Sequence, residues 1–196
     1  MLIRVLENRS FLIIALIVSV LIAFKIQTFV IFPIESLLGF SITQHASMVY
    51  LPAGVVFLSF YLLRWWFFPV VLVGRTLISV QFEGGGIGLE AIIFNCIIVC
   101  LYPMWLHLLN SAKWDVFGDH NEDELTIVGA MIFALLVSFS TGLLSAIHQT
   151  TIGMVPIAQS LQYTVHFIIG DTLGTGVVLY LFYRLLKWNQ SKTGEC

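Results

Sequence analysis

Long apolar runs with few charges dominate the chain and limit how it can fold. Only 10% of the 196 residues are charged, whereas 59% are hydrophobic and the mean hydropathy is +0.97. A soluble domain carries roughly 25% charged residues, because its surface must face water. The sequence therefore predicts a single all-α, polytopic helical membrane domain over residues 1–196, and it argues against a soluble enzyme.

The lengths of the apolar runs predict how many helices cross the membrane. A helix needs about 20 apolar residues to cross a hydrocarbon core of about 30 Å. We expect about six transmembrane helices, with more only if re-entrant segments contribute. The expected spans are 11–32, 46–63, 67–82, 87–109, 125–147 and 161–186.

The distribution of basic residues predicts the orientation, because Lys and Arg concentrate in cytoplasmic loops. With both termini cytoplasmic, six spans place seven of the nine basic residues on the inner side. These seven are Arg4, Arg9, Arg64, Lys113, Arg184, Lys187 and Lys192. The segment 110–124 then becomes an acidic cytoplasmic loop, either simply solvated or docking a partner, and 187–196 becomes a short cytoplasmic tail. The net charge of −2 provides no basic surface for nucleic acid.

Two ionisable residues, Arg75 and Asp171, fall inside the expected spans at similar depth. Asp171 lies ten residues into the sixth span, about 15 Å deep, and Arg75 lies nine residues into the third, about 14 Å deep. Charged groups inside a bilayer are costly unless they are paired or hydrated. We expect a buried ion pair, which either fixes helix packing or lines a polar pocket for a small ligand.

Two further polar residues, Glu90 and Asn95, are candidates for the same pocket. Glu90 lies near the outer start of the fourth span, whereas Asn95 lies deeper and needs a hydrogen-bond partner. Lys25 either pairs with Glu90 or Glu35 or extends its ammonium group to the interface.

The sequence predicts no metal, cofactor or catalytic centre. His45, His148 and His166 fall toward the outer side, but they come from three segments without the spacing of a metal site. Cys96 and Cys100 lie in an apolar run and are interpreted as small hydrophobic residues. Because no nucleophile or metalloprotease motif is present, we do not expect an enzyme.

Small residues mark where helices are expected to pack closely. Gly170 and Gly174 are four residues apart on one helix face, in the small-xxx-small pattern of tight membrane helix contacts. Pro52 and Gly54 open the second expected span.

Several motifs together resemble the first class of membrane-associated sensor domains (MASE, type one). The motifs are 51–55 (Leu-Pro-Ala-Gly-Val), 64–69 (Arg-Trp-Trp-Phe-Phe-Pro), 72–74 (Leu-Val-Gly), 136–142 (Leu-Val-Ser-Phe-Ser-Thr-Gly) and 170–174 (Gly-Asp-Thr-Leu-Gly). The resemblance covers roughly residues 46–186. It implies an integral-membrane input module of bacterial signalling proteins, placed in the inner membrane. The chain departs from the family in having six expected spans rather than about eight, and we expect no output domain after the last span.

These features predict a non-enzymatic membrane sensor-like or scaffold subunit that acts through a protein partner in the bilayer. The alternative is a substrate-binding membrane subunit of a small-solute importer, which would bind its ligand near the outer face. A second alternative is a structural subunit of a larger membrane assembly. Apart from membrane lipid, the partner and any small ligand cannot be named from the residues.

Overall fold

The computed structural model describes residues 9–39, 47–83, 88–114 and 127–193, and the regular elements of these ranges are all helical. Residues 115–124 of the acidic loop and 194–196 of the tail lie outside them. The α-helices are α1 (Arg9–Ile26), α2 (Phe32–Leu37), α3 (Leu51–Leu63), α4 (Phe67–Glu83), α5 (Leu89–Ser111), α6 (Ile127–Thr151) and α7 (Ser160–Thr193). A π-helical turn, Gln27–Ile31, joins α1 to α2, and 3-10 turns at Arg64–Trp66 and Ile157–Gln159 precede α4 and α7.

The described ranges confirm an all-α membrane fold, but they contain five helical segments long and apolar enough to cross a membrane, not six. These segments are Arg9–Leu37, Leu51–Thr76, Leu89–Ser111, Val128–Thr151 and Ile157–Trp188. The second and third expected spans fall together in one of them. The expected count is wrong here because α3 has only 13 residues, about 20 Å of helix, which is shorter than the hydrocarbon core.

Helices α3 and α4 nevertheless fold back on each other at Arg64, whose φ is +51°. Val55 of α3 packs against Val20 of α1, and Val20 also touches Gly74 of α4. Helices α3 and α4 therefore both pack against α1 at the level of Val20. We call the end of the bundle at this reversal the Arg64 end, and the opposite end, where α5 and α7 begin, the Glu90 end.

Aromatic side chains fill the core near the Arg64 end. The Phe60 ring lies 4.8 Å from Phe67, 5.5 Å from Tyr102 and 5.6 Å from Phe133, measured between ring centroids. Because lipid is as apolar as these side chains, close packing rather than escape from water holds them together. The cluster joins α3, α4, α5 and α6.

Glycines let a stretch of backbone lie directly against α7. A Cβ at Gly170 would overlap the carbonyl oxygen of Ser47, and a Cβ at Gly174 would overlap that of Tyr50. The Tyr50 amide also donates a 2.9 Å hydrogen bond to the Gly170 carbonyl oxygen. One turn into α3, a Cβ at Gly54 would lie 2.6 Å from the Gly174 carbonyl oxygen. The small-xxx-small face thus receives residues 47–50 as well as a helix.

We expect Gly174→Ala to destabilise the protein by about 1–3 kcal/mol, because its Cβ needs space that the Tyr50 backbone occupies. Thermal unfolding of purified protein in one detergent should show a Tm lower by about 3 °C or more. Gly176→Ala is the matched control, since its Cβ would meet only the Met131 methyl at 3.5 Å. Equal melting of both variants and the wild type would contradict the assigned contact.

Candidate functional site

A buried carboxylate, Glu35, holds the chain that precedes α3. Its Oε1 accepts hydrogen bonds from the Ser47 hydroxyl at 2.8 Å, the Met48 amide at 2.9 Å and the Val49 amide at 3.2 Å. Hydrogen bonds to a charged acceptor are stronger than neutral ones. Glu35 therefore positions the same backbone that lies against α7. Sequence reasoning considered Glu35 only as a partner of Lys25.

The π-helical turn places Gln27 in this hydrogen-bond network. Its fully buried side chain donates to the Ser47 hydroxyl at 2.8 Å and accepts from the Leu51 amide at 3.1 Å. The Leu51 amide lies in the first turn of α3 and has no acceptor within that helix. Such π turns often occur at functional positions in helices. We call Gln27, Glu35 and Ser47 the loop clamp.

Arg75 forms its side-chain hydrogen bond with Asn95 rather than with a carboxylate. The Arg75 Nε donates to Asn95 Oδ1 at 2.8 Å, which joins α4 to α5. Asn95 is buried, so this bond satisfies an amide that would otherwise be costly in the membrane. Two of the four expected pocket residues are thus in contact.

Asp171 lies on the buried side of α7, where it is 9% exposed. The Thr141 side chain of α6 hydrogen-bonds to its carboxyl group, and the Arg75 guanidinium interacts with it electrostatically. In the part of the chain that the structure describes, however, no ion pair within 4 Å involves Asp171. The two groups share one polar region without direct contact, and the Arg75 Nε donates to Asn95 instead.

Three tyrosines lie within electrostatic range of these charges, and sequence reasoning did not single them out. Tyr50, Tyr102 and Tyr163 all interact electrostatically with both Arg75 and Asp171. We call Arg75, Asn95, Thr141, Asp171 and the three tyrosines the polar cluster.

Glu90 contacts a histidine at the Glu90 end. Its Oε1 lies 3.4 Å from Nε2 of His148, and the His148 ring stacks on Phe94 with centroids 4.2 Å apart. The Lys25 ammonium group lies 5.5 Å from the centre of the Phe29 ring. Among the described residues, no three His, Cys, Asp or Glu side chains converge where a metal ion would bind.

The four residues predicted to mark close helix packing lie in the contact between α3 and α7. Pro52 and Gly54 are buried in the first turn of α3, and Gly170 and Gly174 face them from α7. Asp171 follows Gly170 directly, so the tight backbone contact and the polar cluster share one turn of α7. A change at Asp171 can therefore reach the backbone of residues 47–50.

Comparison with known proteins found no similar protein. No family model matches the chain, no curated protein matches it, and no solved structure matches it. The resemblance to the membrane-associated sensor domains therefore depends on the sequence motifs alone.

We expect Glu35→Ala to loosen the segment before α3, because the Met48 and Val49 amides lose their acceptor. Hydrogen–deuterium exchange at these two amides should accelerate about tenfold or more. Glu90→Ala is the control, since Glu90 is exposed and its contact lies at His148. If exchange at Met48 and Val49 is unchanged in Glu35→Ala, the loop clamp does not hold this segment.

Proposed function

We propose that this protein is a non-enzymatic membrane sensor-like subunit that acts through a protein partner in the bilayer. The observation that carries the proposal is the continuity of α7. One unbroken helix, Ser160–Thr193, bears Asp171 in the polar cluster and extends past the last apolar residues at the Arg64 end. A change in the charge of Asp171, or the binding of a ligand to it, can therefore move the far end of the same rigid helix.

The length of α7 supports this role. Its 34 residues rise about 51 Å, whereas the hydrocarbon core is about 30 Å thick. After Leu186 the helix contains Lys187, Trp188 and mainly polar residues up to Thr193. A tryptophan at this position suits the membrane interface. The final turns of α7 then lie outside the hydrocarbon, where a partner can contact them.

The exposure of α7 also supports a partner within the bilayer. Of the five candidate spans in the described ranges, the span that contains α7 is the least buried. Its exposed side chains include Leu173, Val177 and Leu181. The helix that carries the buried aspartate is therefore also the helix most available to another transmembrane segment.

The proposed orientation places the Arg64 end in the cytoplasm. Arg9, Arg64 and Lys187 lie at this end of the described bundle, in agreement with the tendency of basic residues to face inward. The resemblance to bacterial input modules adds the inner membrane as the proposed location. The output would then reach a membrane or cytoplasmic protein through the end of α7.

A second candidate is the substrate-binding subunit of a small-solute importer. The loop clamp and the polar cluster bring together polar side chains of five α-helices, α2 and α4 to α7, inside the bundle. A small ligand entering from the outer side would meet these groups first. An importer predicts a bound solute and an ATP-driven partner, which the sensor does not require.

The sensor proposal predicts that neutralising Asp171 moves α7. Spin labels at Trp65→Cys and Lys187→Cys, with Cys96, Cys100 and Cys196 replaced by serine, report the distance across the Arg64 end. We expect Asp171→Asn to shift this distance by about 2–5 Å, the size of helix shifts in known switches. Pulsed electron paramagnetic resonance on the full chain in nanodiscs measures it.

Glu90→Gln is the charge-neutralising control, because Glu90 is exposed and contacts His148. A photo-crosslinker at Leu181 in native membranes tests the partner. One defined protein should be crosslinked, in a yield that Asp171→Asn changes and Glu90→Gln does not. An unchanged distance together with an unchanged crosslinking pattern would reject the sensor role, whereas a copurified solute and ATPase would favour import.

A further inference from the structure

Asp171 combines two features that together identify a chemical species it can bind. It is buried, and it lies eleven residues after Ser160, about 16 Å along α7 and hence near the middle of the bilayer. Within the described ranges, no Lys, Arg or His nitrogen approaches its carboxyl oxygens to within 4 Å. An ionised carboxylate without a paired cation at this depth costs several kcal/mol.

The second feature is the hydroxyl group beside it. The Thr141 side chain hydrogen-bonds to the Asp171 carboxyl group, and the Thr141 Oγ1 also lies 3.1 Å from the Ser138 carbonyl oxygen. A threonine hydroxyl has one proton to donate and lone pairs to accept. When Asp171 is ionised, Thr141 can donate to the carboxylate. When Asp171 is protonated, its O–H can donate to Thr141, which then donates to Ser138.

We propose that Asp171 is a reversible proton-binding site in the core of the membrane, with Thr141 as the hydroxyl that satisfies both charge states. A proton from water adds to a carboxyl oxygen of Asp171 to form the neutral acid, and it returns to water on release. No other bond changes. The proposal rests on the proposed function, because it names the proton as the species that the sensor binds.

The charged and titratable groups around Asp171 fit a single proton-binding carboxyl. It interacts electrostatically with Arg75 of α4, Tyr102 of α5, Tyr50 of the segment before α3, and Tyr163 of α7 itself.

From α6 the group in contact is Thr141, which does not titrate. The titratable side chain of α6, His148, lies seven residues beyond Thr141, about 10 Å along the helix. Glu35 is engaged by the amides and hydroxyl of the loop clamp. Asp171 is therefore the carboxyl group of this region whose protonation removes a buried charge that no cation contacts directly.

Infrared difference spectroscopy of the full chain in nanodiscs tests the assignment. Between about pH 5 and about pH 10, the wild type should show a carboxylic-acid C=O band that appears as the pH falls. The band should be absent in Asp171→Asn and retained in Glu35→Gln and Glu90→Gln. Thr141→Val should shift its frequency, because the acid loses the hydroxyl that accepts its O–H.

Isotope labelling keeps the test decisive if Asp171→Asn does not fold. The chain has four aspartates, and the other three lie in the segment 110–124. Carboxyl-¹³C aspartate should therefore shift the band in the wild type, and Thr141→Val should alter only the labelled band. If the pH-dependent C=O band does not shift when aspartate is labelled, or if no pH-dependent band appears, the assignment is wrong. Because the band is read without a partner or any helix movement, it distinguishes failure of this site from failure of the sensor role.

Discussion

The contact between the backbone of residues 47–50 and the glycine face of α7 is the constraint on which the rest of the site depends. Gly170 and Gly174 leave room for two carbonyl oxygens, and the Tyr50 amide bonds to the Gly170 carbonyl oxygen. Unpaired backbone groups are costly in a membrane, so a non-helical segment inside the bundle needs such partners. Glu35 and Gln27 supply the others from the opposite side.

This arrangement links the two polar regions. The loop clamp holds residues 47–51 from the π-helical turn and α2, and the same stretch touches the turn of α7 that carries Asp171. Arg75 and Asn95 connect α4 to α5 on another side of the cluster. A proton at Asp171 would thus alter a group that lies between the clamped segment and the longest helix. The tight contact transmits such a change, because close-packed interfaces shift between discrete arrangements rather than deform continuously.

Part of the site was predictable because the membrane makes polar residues conspicuous. Asp171, Arg75 and Asn95 stand out in apolar runs, and depth along a helix follows from counting residues. Which groups touch was not predictable, because it depends on the rotation and lateral position of each helix. Arg75 therefore meets Asn95, and Glu90 meets His148. Glu35 and Gln27 were missed, since their roles need the π turn and the returning segment 47–51.

The sequence by itself determined the all-α membrane class, the approximate positions of the long apolar helices and the small residues of α7, because the bilayer dictates length, polarity and close packing residue by residue. The tertiary structure decided the number of spanning segments, the reversal at Arg64 and the neighbours of each charge. These features depend on contacts between residues far apart in the chain. A short α3 becomes part of a membrane bundle only because α1 and α7 cover it.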